Sequence, residues 1–191
     1  MTASTLPRLD AEFTTLDGLT LRGWLFPTSK RGPAMIMSPG FTGAIPSWKT
    51  PLNVYACAQI NARQQAEHLH DAVTWFKENP LVDETKIALW GLSFGGNITL
   101  AAAAFDNRVA AAISVAPLID PTGNPERRQP ILELAMHDRA SRLAGEEPMY
   151  LPYVKEDGSI PNGLQLPAEM MPALDRPGIP VENRISVQNY T

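Results

Sequence analysis

Gly91-Leu92-Ser93-Phe94-Gly95 sets a serine between two glycines, each two residues away. A serine hydroxyl can attack an acyl carbonyl if the chain holds it at the tip of a sharp turn. The flanking residues fit that geometry. Lys86–Trp90 is a short, mostly apolar run that suits a buried strand, and Asn97–Ala104 favours a helix. A strand would deliver Ser93 to the turn, and a helix would leave it with its N-terminal N–H groups aimed at the site. Gly91 and Gly95 suit a turn too tight for a Cβ, and Ser93 itself is expected in a strained backbone region.

The nucleophile needs further parts: a base, an acid to orient it, and donors for the developing oxyanion. The N–H of Phe94, next after the serine, is one expected donor. The other is placed at Phe41 N–H, in the turn Ser38-Pro39-Gly40-Phe41-Thr42 that ends the third strand. No triad acid or base is found. His68 and His70 lie two apart on one helix and point to different faces. His70 flanks the apolar stripe and reads as a packing residue, and His68 as a solvent-facing one. His137, beside Asp138, follows no strand that would place it as a base and reads as an ordinary polar residue.

The elements that must position these residues alternate. Ala11–Leu16 and Leu19–Phe26 read as strands joined by a hairpin at Asp17-Gly18. Pro33–Ser38 reads as a strand buried on both faces. Asn61–Asn79 is a helix, with Leu69, Ala72, Val73 and Phe76 at helical spacing, stopped by Pro80. The helix after Ser93 runs to about Asp106-Asn107, and Val109–Ala116 is the next buried strand. The fold class is α/β, a mostly parallel sheet with helices on both faces.

The chain has 191 residues, 44% hydrophobic and 19% charged, with a net charge of −4. That balance offers no basic footprint for nucleic acid or an anionic membrane. Cys57 is the only cysteine, so neither a disulfide framework nor a thiolate metal site is expected, and no metal is assigned. No apolar run is long enough to span a membrane, and Met1–Arg8 does not read as a secretory signal, so a cytoplasmic protein is expected. Of the 18 prolines, ten fall in the last 71 residues, with four of the seven methionines. That shift marks a boundary near Asp120-Pro121, dividing a partial core (1–120) from a lid or cap segment (121–191).

Several segments together resemble the α/β-hydrolase superfamily, and within it the fungal thiohydrolase and polyketide-transferase-like enzymes of secondary-metabolite clusters. They are Phe13–Pro27, Met37–Phe41, Gln64–Glu67 with His70–Ala72, and Leu89–Gly96. In the second part, Asp138-Arg139, Leu143–Gly145 and Tyr150–Pro152 are similar to that group's lid, and Glu182–Arg184 with Gln188–Tyr190 to its end. The resemblance implies acyl transfer from a thioester or ester to water or an alcohol through an acyl-serine. Ser93 would be the nucleophile and Phe94 and Phe41 the oxyanion donors. It implies no cofactor, and a small-molecule acyl substrate delivered by a polyketide synthase.

The chain departs from the family pattern in two places. The family continues to two more strands bearing the acid and the histidine, and it has a longer segment after the third strand. Here Thr42–Pro51 alone precedes Leu52–Ile60, the one candidate for a replacement strand. A parallel crossover takes roughly a dozen residues or more. Val109–Ala116 is then expected to form a bare apolar edge. Three readings remain open: a serine hydrolase or acyltransferase in incomplete form, a non-catalytic remnant or pseudoenzyme that binds an acyl ligand or a partner, and a machine completed by a second chain.

Overall fold

Asp17-Gly18 does turn the chain between two strands. In a computed structural model, which describes residues 8–40, 61–120, 125–152, 154–159 and 184–190, β1 (Leu9–Thr14) pairs antiparallel with β2 (Thr20–Leu25). The loop is longer than a two-residue hairpin. Thr15 N–H donates to Leu19 O at 2.8 Å, and Gly18 supplies the positive φ of 85° that the reversal needs.

Three strands then build a parallel sheet in the order β3–β4–β5: β3 (Gly32–Ser38), β4 (Val82–Leu92) and β5 (Val109–Val115). Helix α1 (Ala62–Lys77) joins β3 to β4, and α2 (Phe94–Phe105) joins β4 to β5. The register puts Ile36, Leu89 and Ala112 on one side of the sheet, and Met37, Trp90 and Ile113 on the other. The Leu89 side receives α2, whose Ile98, Thr99 and Ala102 are buried. Beside it, α1 buries Ala66, Ala72 and Val73, and its Trp75 stacks on Phe13 of β1 at 5.7 Å.

The opposite side corrects an expectation. β3 and β5 were expected to be buried strands, yet Met35 (47% exposed), Met37 (43%), Ile113 (43%) and Val115 (39%) face solvent, while among the described residues β5 ends the strand order as the bare apolar edge that was also expected. An apolar run reads alike whether one face or both are covered, so periodicity alone misjudges it.

The described residues fall into two compact units. The first holds residues 8–40 and 63–118, and the second holds residues 61–62 and those from Ile119 onward. The second is organised by α3 (Pro125–Leu143), a helix that its prolines concealed. Pro125 stands at the first helical position, where no N–H is needed, while Pro130 lies inside and reads as a breaker. Ile131, Ala135 and Asp138 form its buried stripe. The Asp138 carboxylate accepts from Met149 N–H at 2.6 Å and from Gln188 Nε2 at 2.7 Å. These bonds tie α3 to the short antiparallel pair β6 (Tyr150–Leu151) and β7 (Ile185–Ser186), and to the closing turn Val187–Tyr190. Among the described residues no helix is long and apolar enough to cross a membrane.

Candidate active site

Ser93 stands between the end of β4 and the start of α2, with φ 55° and ψ −119°. A serine at that boundary ordinarily takes an extended backbone and spends its hydroxyl capping the helix. Ser93 does neither. Its left-handed φ carries a steric cost, and Oγ makes no capping bond. Its backbone is held from both sides. Ser93 N–H donates to Val115 O at 2.9 Å, and Ser93 O accepts from Gly96 N–H at 3.0 Å, Asn97 N–H at 3.2 Å and Leu118 N–H at 3.0 Å.

The two motif glycines allow the turn. A Cβ on Gly91 would lie 2.1 Å from Gly95 O and 2.5 Å from Thr99 Oγ1. A Cβ on Gly95 would lie 2.1 Å from Pro39 O and 2.5 Å from Ser38 O. Gly95 therefore lets the exit of β3 lie directly on the first turn of α2. Gly40, on that exit, comes close enough for an added Cβ to touch Ser93 Cβ at 3.5 Å. Phe94 is the first residue of α2, its ring buried, at the end where the helix dipole favours negative charge. Phe41 lies outside the described residues, as do Cys57, Thr42–Pro51 and Leu52–Ile60.

The histidines of α1 are engaged elsewhere. His68 was expected to face solvent; instead its side chain is 13% exposed, with Nε2 3.2 Å from Asp17 Oδ2. The cause is tertiary: the β1–β2 loop folds onto α1, where Gln64 Nε2 also donates to Asp17 at 2.7 Å. The Thr15 hydroxyl, then Gln64 and His68, hold the Asp17 carboxyl well below its ordinary range. His70 is the expected packing residue, half-buried with Nε2 3.2 Å from Ala102 O of α2. His137 is exposed on α3. Among the described residues no cluster of His, Cys, Asp or Glu could hold a metal ion.

One part of the site escaped the sequence reading. The exit of β5 supplies Val115 O and Leu118 N–H to Ser93, and Ala116 there is the other described non-glycine residue at positive φ, 44°. Pro117, just past the strand, was the available signal.

Residues 56–138 match the prolyl oligopeptidase family. A polyketide transferase, grgF, of Penicillium sp is 74% identical, covering all of this chain and 72% of that protein. A thiohydrolase of Eupenicillium brefeldianum is 34% identical, over 96% of this chain and 69% of its own length. The crystal structure of the alpha/beta hydrolase GrgF from Penicillium sp. sh18 superposes with a TM-score of 0.75 at 71% identity, over 97% of this chain and 72% of that one. The chain belongs to the α/β-hydrolase family of fungal polyketide transferases and thiohydrolases. Another solved structure, DcsB in complex with its substrate analogue, is 31% identical with a TM-score of 0.77, covering 96% of this chain and 72% of that one. The polyketide-transferase likeness runs through both units, since the grgF match covers the whole chain.

Proposed function

We propose that this α/β hydrolase transfers an acyl group of a polyketide, held as a thioester or ester, to water or an alcohol, with Ser93 as the nucleophile. The observation that carries the reading is the Ser93 backbone. A strained φ of 55° at a strand–helix boundary, with the hydroxyl withheld from capping, is a cost that structural needs alone do not explain. In the proposed step the Oγ–acyl bond forms, the bond to the leaving sulfur or oxygen breaks, and the hydroxyl proton ends on the leaving group. Water or an alcohol then reverses the sequence at the acyl-serine. The N–H of Phe94, and that of Phe41 from the β3 exit, would stabilise the oxyanion. The names of the relatives, polyketide transferase and thiohydrolase, support the substrate class, and a polyketide synthase is the natural donor.

A second reading is favoured by the placement of the histidines. His68 is bonded to Asp17 and His70 to the Ala102 carbonyl. Under this reading the chain binds an acyl ligand without turning it over.

A fluorophosphonate probe separates the two. Transfer is expected to give labelling of the purified chain that disappears in Ser93→Ala, and thiol release from a short polyketide thioester that disappears with it. No labelling of the parent chain overturns the catalytic reading and leaves the binding one. Should Ser93→Ala still label, the nucleophile is another residue.

A further inference from the structure

Ser93 and Ala116 are the two described non-glycine residues at positive φ, 55° and 44°. The backbone of Ser93 is bonded to the residues on either side of Ala116-Pro117. The residues bracketing Ala116-Pro117 are Val115, whose carbonyl accepts from Ser93 N–H at 2.9 Å, and Leu118, whose N–H donates to Ser93 O at 3.0 Å. One turn therefore holds both backbone groups of the strained serine. Two further contacts fasten that turn to the start of α2. Ser114 Oγ donates to Gly96 O at 3.0 Å, and an added Cβ on Gly96 would lie 3.3 Å from Pro117 Cα.

Pro117 fixes its own φ and favours extended backbone in the residue before it, yet Ala116 sits at φ 44°, so the turn is held against its local preference. Strain of this kind persists only where the surroundings over-determine it, and it gathers where geometry matters. A hairpin loop shows what the chain does when only reversal is required: the β1–β2 loop puts Gly18 at its positive φ, 85°. At β5 the position is held by alanine instead.

We propose that the turn leaving β5, Ser114–Leu118, is the positioning element for the Ser93 hydroxyl, with Ser114 and Ala116 as its positioning residues. The proposal rests on Ser93 being the nucleophile. In this role both act through the backbone around Ser93, and neither needs a contact with substrate. Ser114 anchors the first turn of α2 through Gly96 O, and Ala116 fixes the spacing between Val115 O and Leu118 N–H. Displacements near 1 Å at a reacting group cost on the order of 100-fold in rate, so loss of one anchor is expected to cost about tenfold.

The test compares Ser114→Ala, Ser114→Thr and Ala116→Gly in the full chain by fluorophosphonate labelling kinetics, thermal melting and amide hydrogen exchange at Ser93. In Ser114→Ala the maximal labelling rate should fall about tenfold at unchanged half-saturating probe, and Ser114→Thr, which keeps the donor, should restore it. Ala116→Gly relieves backbone strain, so its melting temperature should hold or rise while labelling slows several-fold and the Ser93 amide exchanges faster. A purely structural role would not separate stability from reactivity in that way. Parental labelling and exchange in both Ser114→Ala and Ala116→Gly would overturn the proposal. If Ser114→Ala does not fold, Ala116→Gly decides alone. If the parent chain does not label, the nucleophile reading fails, and exchange alone decides: a faster Ser93 amide in the variants upholds the positioning turn, and an unchanged one removes it.

Discussion

The two sides of the β3–β4–β5 sheet are built from similar residues and packed in opposite ways. On one side Ile87 and Leu89 are buried, at 0% and 1% exposure, and backbone meets backbone at Gly91, Gly95 and Gly96. On the other, Met35, Met37, Ile113 and Val115 remain about 40% exposed or more. Hydropathy does not separate them, since both sides are apolar. The difference is close approach. Glycine on the Leu89 side lets α2 settle onto β4 and β5, and the same contacts that cover this side also shape the turn at Ser93. Covering the sheet and presenting the hydroxyl are one packing event.

The sharpest way to break that comparison is to block the approach. Gly91→Ala puts a Cβ 2.1 Å from Gly95 O and 2.4 Å from Gly95 C, both backbone atoms that cannot turn aside. Urea unfolding should show a loss above about 4 kcal/mol, or no cooperative transition. Gly23→Ala in β2 is the control, with nothing within 4 Å of the added Cβ. It should be neutral or slightly stabilising, because alanine loses less backbone entropy on folding than glycine. Comparable losses in both would mean that close approach is not what makes the Leu89 side special.

These contacts explain what the sequence could and could not disclose. The turn at Ser93 was legible because its parts are local: an apolar strand, two glycines, a helix-forming run. Its strain was legible as well, since the motif demands it. The position of His68 was not, because a half-buried pair with Asp17 arises only when the β1–β2 loop meets α1, 51 residues apart in sequence. The open side of the sheet was hidden because Met35 and Met37 sit in a run whose hydropathy is uniform. Helix α3 was hidden by Pro130, whose local signal runs against the buried stripe Ile131, Ala135 and Asp138. The part played by Ser114 and Ala116 could not be read from either strand alone, because it exists only where two strand exits meet.

A gentler perturbation sharpens the contrast between the sides. Leu89 and Met37 are apolar residues on neighbouring strands, near one another in register but facing opposite ways. Leu89→Ala empties a buried site and should cost about 3 kcal/mol, by lost transfer energy and the cavity left behind. Met37→Ala removes a side chain already 43% exposed and should cost less than about 1 kcal/mol. Chemical denaturation of the two variants at one pH is sufficient. A Met37→Ala loss equal to that of Leu89→Ala would show that the Met37 side is covered in solution, which exposure in the isolated chain does not predict.

The smallest expected effect concerns the far end of the helical layer, where packing gives way to charge. Asp106 closes α2 and is 7% exposed; its carboxylate accepts from Arg108 Nε at 2.8 Å and from Arg108 Nη2 at 2.7 Å. Arg108 reaches on to His70 O and the Thr74 hydroxyl, so the pair pins the end of α2 to α1. The bonds from Arg108 outweigh the opposing effect of burial and hold the Asp106 carboxyl below its ordinary value of 3.8. A carboxylate that binds its proton less readily when folded stabilises the fold above its unfolded pKa, and loses that contribution as pH falls through the lower, folded value. Asp106→Asn should therefore cost about 2 kcal/mol at pH 7, the scale of a hydrogen bond to a charged group. The cost should shrink below pH 4, where the unfolded parent's carboxylate takes up its proton first and the folded one follows at lower pH. Unfolding curves for both proteins at pH 7 and pH 3 give the answer: a difference that stays constant or widens in acid would mean that the ionised pair is not what holds this end of α2. In that case the helical layer rests on the Leu89 side by packing alone, from the Ser93 turn to its far edge.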